Sequence, residues 1–156
     1  MRSAVYLVAV LTLALPVTAQ NASSAIVVKQ ACSRATSSGA RVAAGYLTVT
    51  NAGKVANHLL SIESPMAERV ELHESSVVDS IARMRPVDAI PVAVGATVTL
   101  KPGGLHLMLM QPRSKRAPGD KVPVTLTFEV GKVSVALGVQ LAGASDAPAN
   151  DHTEHV

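Results

Sequence analysis

Cysteine is almost missing from this chain: 156 residues contain one, Cys32. A lone cysteine cannot close an intramolecular disulfide, and without a Cys-x-x-Cys pair there is neither a thiolate zinc site nor a dithiol redox motif. The fold must therefore hold by packing alone. Tryptophan is absent, and Tyr6, Tyr46 and Phe128 are the only aromatic residues, which argues against a stacking platform for single-stranded nucleic acid. Charge of one sign is not in excess either. The 14 Lys and Arg against 11 Asp and Glu leave +3, and the basic residues are scattered apart from Arg113, Lys115 and Arg116, so no nucleic-acid partner is expected. There are no paired catalytic carboxylates, no Ser-His-Asp ordering and no phosphate-cradling glycine loop, so the chain reads as a binding protein and not an enzyme. No apolar run reaches the roughly 20 residues that a membrane-spanning helix needs.

What is present begins with a targeting segment. Met-Arg-Ser is followed by an apolar run from Ala4 to Leu15 and a small-residue exit, Pro16-Val17-Thr18-Ala19, the pattern of a cleavable signal peptide over residues 1–19. Cleavage after Ala19 leaves a domain over 20–141 and a small, polar tail over 142–156. No cysteine stands at the exit for lipid attachment, so the expected product is a soluble, periplasmic monomer without a membrane span.

The domain reads as strands separated by turn residues. Short apolar or alternating runs occur at Ala25–Gln30, Val42–Asn51, Leu59–Ile62, Arg69–Glu74, Thr97–Leu100 and Leu105–Met110. Met84–Val94 is broken by Pro86 and Pro91, which predicts an edge strand or an irregular pair. Val122–Val130 and Lys132–Leu141 flank Gly131 as a hairpin. Several short strands at intervals of about 8–12 residues, with no helical stripe, predict an all-β sandwich or barrel. Its core must be built from Val, Leu, Ile and Ala.

Strand periodicity then sorts the five His and five Met. Successive side chains of a strand point to opposite faces. In Leu105-His106-Leu107-Met108-Leu109-Met110 the leucines share one face, and His106, Met108 and Met110 share the other. In Val70-Glu71-Leu72-His73 the apolar pair opposes His73. Imidazole together with thioether selects copper, in particular the soft ion Cu(I), and thioether cannot be lost to a disulfide in an oxidising compartment. A blue-copper electron-transfer site would need a thiolate at its centre, and Cys32 has no ligand spacing around it.

His73, ten residues, Met84, twenty-one residues and His106-Leu107-Met108 form the pattern His-x10-Met-x21-His-x-Met. Three matches at fixed offsets from one histidine arise by chance in about a few cases in 10⁵ at these His and Met frequencies. The pattern resembles the periplasmic copper chaperone family PCuAC. Tyr46-Leu47-Thr48-Val49-Thr50-Asn51, Met84-Arg85-Pro86-Val87 and Leu100-Lys101-Pro102-Gly103-Gly104-Leu105 are similar to the family as well, so the resemblance spans roughly residues 25–141. It implies a cupredoxin-like Greek-key β-sandwich or barrel and an exposed Cu(I) site made by His73, Met84, His106 and Met108. It also implies copper delivery for cytochrome c oxidase assembly, to an oxidase subunit or alongside a Sco-type protein. Copper storage or resistance, and electron transfer by a cupredoxin-like protein, are the alternatives. A His-containing extension in the family implies a second, Cu(II) site in the tail, where His152 and His155 stand beside Asp151 and Glu154. The chain departs from the family at Cys32-Ser33-Arg34-Ala35, where a Trp is usual in place of Cys32.

Several residues have a plainer reading beside the functional one. Met110 is a rim residue outside the motif, and His58 a surface residue near a turn. Arg83 and Arg85 are either solvated edge charges or, with Arg113, Lys115 and Arg116, a docking face for an acidic partner. Cys32 is a small buried hydrophobe or a reactive thiol.

Overall fold

A computed structural model describes residues 25–141. The expected signal peptide, and the tail with His152 and His155, lie outside the described residues. Among the described residues ten strands follow one another: β1 (Ile26–Arg34), β2 (Val42–Asn51), β3 (Asn57–Glu63), β4 (Ala67–Val78), β5 (Ile81–Pro86), β6 (Ile90–Val92), β7 (Thr97–Leu100), β8 (Leu105–Pro112), β9 (Lys121–Phe128) and β10 (Gly131–Gln140). The domain is all-β, as the spacing of turn residues predicts.

The strands join in the order β5-β4-β8-β2-β1-β10-β9-β3-β6, with β7 paired to β2. Among these strands only the β1–β10 pair runs parallel. β2 is the pivot: Val42–Gly45 pairs with β8, Leu47–Thr50 pairs with β7, and β1 lies along its other edge. The two terminal strands of the sheet, β5 and β6, are consecutive in the chain and joined by Val87-Asp88-Ala89. Such a link spans at most about 14 Å, so the sheet must curl until its ends approach. The result is the cupredoxin-like sandwich or barrel. Pro86 closes β5 and Pro91 sits in β6; both fall on the sheet's two ends, where a missing N–H costs no ladder bond.

Period 2 fills the core. In β2 the buried positions are Ala43, Gly45, Leu47, Val49 and Asn51, and in β9 they are Val122, Val124, Leu126 and Phe128. Phe128 is the only aromatic among leucine, valine, isoleucine and alanine. Asn51 is buried because it ends β2 as a connector: its Nδ2 donates to the carbonyls of Val55 and Val92, and its Oδ1 accepts from Gly53 N–H. Gly45 allows three strands to pack. A Cβ there would stand 3.0 Å from Leu137 Cδ1 and 3.3 Å from Leu107 Cβ. Gly45→Ala should therefore destabilise the domain by about 1–3 kcal/mol through overpacking, as chemical denaturation would measure; an unchanged midpoint would mean these leucines yield freely.

Three local expectations need correction. β4 continues past Glu74 and pairs with β5 in a hairpin turned by Asp79 and Ser80, which have φ of 52° and 62°. This is the mirror-image two-residue turn that matches strand twist, but it lacks the glycine that normally reveals it. In the β9–β10 hairpin Gly131 is paired with Phe128, so Glu129 and Val130 make the turn. Finally, Arg116 is not part of an exposed basic face: it is 2% exposed. Its backbone is bridged to Thr36, its Nη2 donates to the Met66 carbonyl at 3.1 Å, and burial pushes its guanidinium pKa down.

Candidate metal centre

The sheet order makes β5, β4 and β8 neighbours, and these strands carry all four candidate ligands. His73 on β4 lies directly opposite His106 on β8, Glu71 opposite Met108, and Arg69 opposite Met110. On the other side of β4, Ser75 lies opposite Met84 and His73 opposite Pro86. Directly opposed residues of an antiparallel pair share a face, and diagonal neighbours remain within reach of long side chains. His73 is thus the hub, opposite His106 and diagonal to both Met84 and Met108. The leucines of β8 line the other face, with Leu107 and Leu109 in the core.

The two imidazoles face each other with centroids 6.0 Å apart and planes at 44°. They are not exposed as expected. His106 is 5% exposed and the His73 side chain 14%, because facing rings and the adjoining turn cover one another on this face. Met108 is half-buried, whereas Met84 is 55% exposed on the outermost strand. The site therefore has a sheltered histidine end and an open thioether end.

Hydrogen bonds hold both rings. His106 Nδ1 lies 2.8 Å from the Gly104 carbonyl, which also accepts from Ser75 N–H at 3.0 Å. The Lys101–Gly104 turn, with Gly103 at φ +76°, thus fastens a candidate ligand as well as reversing the chain. His73 Nε2 lies 2.9 Å from Glu71 Oε2, and Glu71 Oε1 accepts from Arg69 Nε at 2.6 Å. The Arg69 hydrogen bond, followed by that of His73, holds the Glu71 carboxyl below its ordinary value. A depressed carboxylate adds stability above its unfolded pKa, and that contribution is lost as pH falls through the folded value.

His73 Nδ1 is buried with no hydrogen-bond partner. A buried polar atom left unpaired is costly, and a lone pair in this position is what a metal ion would satisfy. Among the described residues no group of three or more His, Cys, Asp and Glu is arranged to hold a metal. The thioethers of Met84 and Met108 share this face of the sheet, and thioether is a donor that favours soft ions.

Other candidates fall elsewhere. Cys32 is on β1, opposite Tyr46 and Gly138, with β2 between it and β8. His58 is on β3, its Nδ1 3.1 Å from Glu129 Oε2. Met110 shares the face of Met108, as periodicity predicts, and is half-buried. A groove of about 260 Å³ runs between β3, β4 and the β5–β6 link, lined by Leu60, Ile62, Val70, Glu71 and Val87 among others. It includes none of the four candidate ligands and is not this site. Glu71 and Gly104 were not singled out by sequence reasoning. Glu71 could have been found, since it shares the His73 face by parity; a backbone carbonyl leaves no such mark.

Comparison with known proteins bears on the family and the fold. Residues 26–139 match the family model described as "Putative lipoprotein LpqE-like". "Putative lipoprotein Lxx21020" of Leifsonia xyli subsp. xyli (strain CTCB07) is 31% identical over 111 residues, 69% of this chain and 67% of that protein. Among solved structures, the "Copper-bound PCuAC domain from PmoF2" superposes with a TM-score of 0.64 at 25% identity, over 76% of this chain and 94% of that one. The Cu(I) form of DR1885 from Deinococcus radiodurans superposes with a TM-score of 0.52 at 29% identity, over 70% of this chain and 74% of that one. The chain belongs to the LpqE-like family, and it shares its fold with the PCuAC domains.

Proposed function

We propose that this protein is an exported copper chaperone that takes up one Cu(I) ion through His73, Met84, His106 and Met108 and passes it to a partner. The observation that carries the reading is the facing His73–His106 pair, with the unpartnered buried Nδ1 of His73 and two thioethers on the same face of β5, β4 and β8. Neighbours that bind copper, including one described as its Cu(I) form, support the ion and its oxidation state. The lipoprotein description of the family and of its relative supports export, and with it the cleavable signal peptide over residues 1–19.

The gradient from sheltered histidines to exposed Met84 suits a carrier. An incoming ligand can displace the outermost thioether first, so copper moves by stepwise exchange and is never released as a free ion. Copper-centre assembly in cytochrome c oxidase, through an oxidase subunit or a Sco-type protein, is the recipient process we assign. A cupredoxin-like electron carrier is less well supported, because its copper needs a thiolate and Cys32 belongs to β1. The tail residues His152 and His155 are assigned an auxiliary Cu(II) role.

Anaerobic titration of the protein with Cu(I) against a chromophoric competitor should give one tightly held ion per chain and no intense blue colour on oxidation. Failure to outcompete the chromophore would overturn the assignment. Loss of oxidase activity under copper limitation in a strain lacking the protein would support the delivery role over storage, and unchanged activity would remove it.

A further inference from the structure

We propose that Glu71 selects the ligating nitrogen of His73, so that Cu(I) is held by Nδ1 of His73 and Nε2 of His106, opposite ring nitrogens of two facing imidazoles. The proposal rests on the copper reading above and assigns a positioning residue within it. A neutral imidazole carries one proton, and the nitrogen that donates a hydrogen bond is not the one that binds a metal. An ionised carboxylate only accepts hydrogen bonds. The 2.9 Å contact between His73 Nε2 and Glu71 Oε2 therefore places the proton on Nε2 and the lone pair on Nδ1. That Nδ1 is the buried atom without a partner. For His106 the same logic runs the other way. Its Nδ1 meets the Gly104 carbonyl at 2.8 Å, and a carbonyl can only accept, so the lone pair is on Nε2.

Glu71 is held to this task. It stands on the face of His73, two residues away on β4 and opposite Met108. Both its oxygens are engaged, Oε1 by Arg69 Nε at 2.6 Å and Oε2 by His73. Arg69 thereby orients the carboxylate and withholds it from the metal. A site left with two imidazoles and two thioethers favours a soft ion over one that prefers oxygen.

Long-range proton–nitrogen correlation spectra of the ¹⁵N-labelled protein, with and without Cu(I), test this directly. The metal-free protein should show His73 protonated at Nε2 and His106 protonated at Nδ1. One equivalent of Cu(I) should then move the ¹⁵N resonances of His73 Nδ1 and His106 Nε2 most. Glu71→Ala should turn His73 into a mixture of tautomers and weaken Cu(I) binding about 10–100-fold, the usual cost of losing an outer partner. Glu71→Gln, whose amide oxygen still accepts, should restore the Nε2–H form and most of the affinity. Copper bound through His73 Nε2, or a Glu71→Ala variant with unchanged tautomer and affinity, would overturn the proposal while leaving the copper reading intact. The expected tautomers without copper uptake would instead overturn the copper reading and the ligand assignment with it.

Discussion

His106→Ala should weaken Cu(I) binding more than about 100-fold, beyond what loss of an outer hydrogen-bond partner costs, while the metal-free domain remains folded. The two effects separate because of how His106 is built into β8. Its ring lies on the face opposite Leu107 and Leu109, so its removal opens no cavity in the leucine core. The hydrogen bond it gives up is the one to the Gly104 carbonyl, and that oxygen keeps the Ser75 N–H. A hydrogen bond of this kind contributes about 0.5–1.5 kcal/mol, and truncation of the sheltered ring adds a packing loss to it. Met84→Ala is the informative companion. Met84 is exposed on the outermost strand, and its loss should leave apo stability within about 0.5 kcal/mol while still lowering Cu(I) affinity, by less than the loss of His106. Competition titration and thermal melts of the metal-free variants check both. Wild-type affinity in His106→Ala would remove His106 from the site.

Leu107→Ala should show the reverse pattern. Leu107 is completely buried, and the sites where a Gly45 Cβ would strike it and Leu137 show how tightly that layer is filled. Truncating such a leucine costs about 2–5 kcal/mol, the spread depending on how far the surroundings relax into the cavity. With a core of aliphatic side chains and one Phe, and no disulfide to constrain the unfolded chain, this is a large share of a typical domain's stability of about 5–15 kcal/mol. The copper affinity of molecules that remain folded should change far less than in His106→Ala, because Leu107 lies on the other side of the strand from His106 and Met108. Urea denaturation monitored by circular dichroism, paired with Cu(I) competition below the transition, measures both quantities. A variant that lost copper in proportion to stability would show that the two faces of β8 are coupled.

These two substitutions concern adjacent residues, and their separation was legible before any coordinates. Period 2 in Leu105–Met110 and in Val70–His73 assigned every side chain to a face, and those assignments stand. The bounds of β2 and β7 were likewise readable, each ending at a clear turn signal. Other features were not. The β4–β5 hairpin was invisible because Asp79 and Ser80 adopt positive φ without glycine. The burial of Arg116 was hidden because a run of Arg, Ser, Lys and Arg reads as solvated when its packing against Thr36 and Met66 is unknown. The shelter of His106 was missed because lying on the face opposite the core suggests exposure, and that face is covered by the facing ring of His73 and the turn at Gly104.

The sequence by itself determined the all-β class, the aliphatic nature of the core and the strand faces on which His73, His106 and Met108 stand. All of these follow from composition, local alternation or fixed spacing, which need no knowledge of what pairs with what. Only the tertiary structure decided that His73 faces His106, that Met84 stands at an open edge while the histidines are sheltered, and that Glu71 and the Gly104 carbonyl hold the two rings. Those outcomes depend on the register of β4 against β8 and β5. Register is set by hydrogen-bonded ladders between distant segments, and a shift of one residue would send the same side chains to the other face.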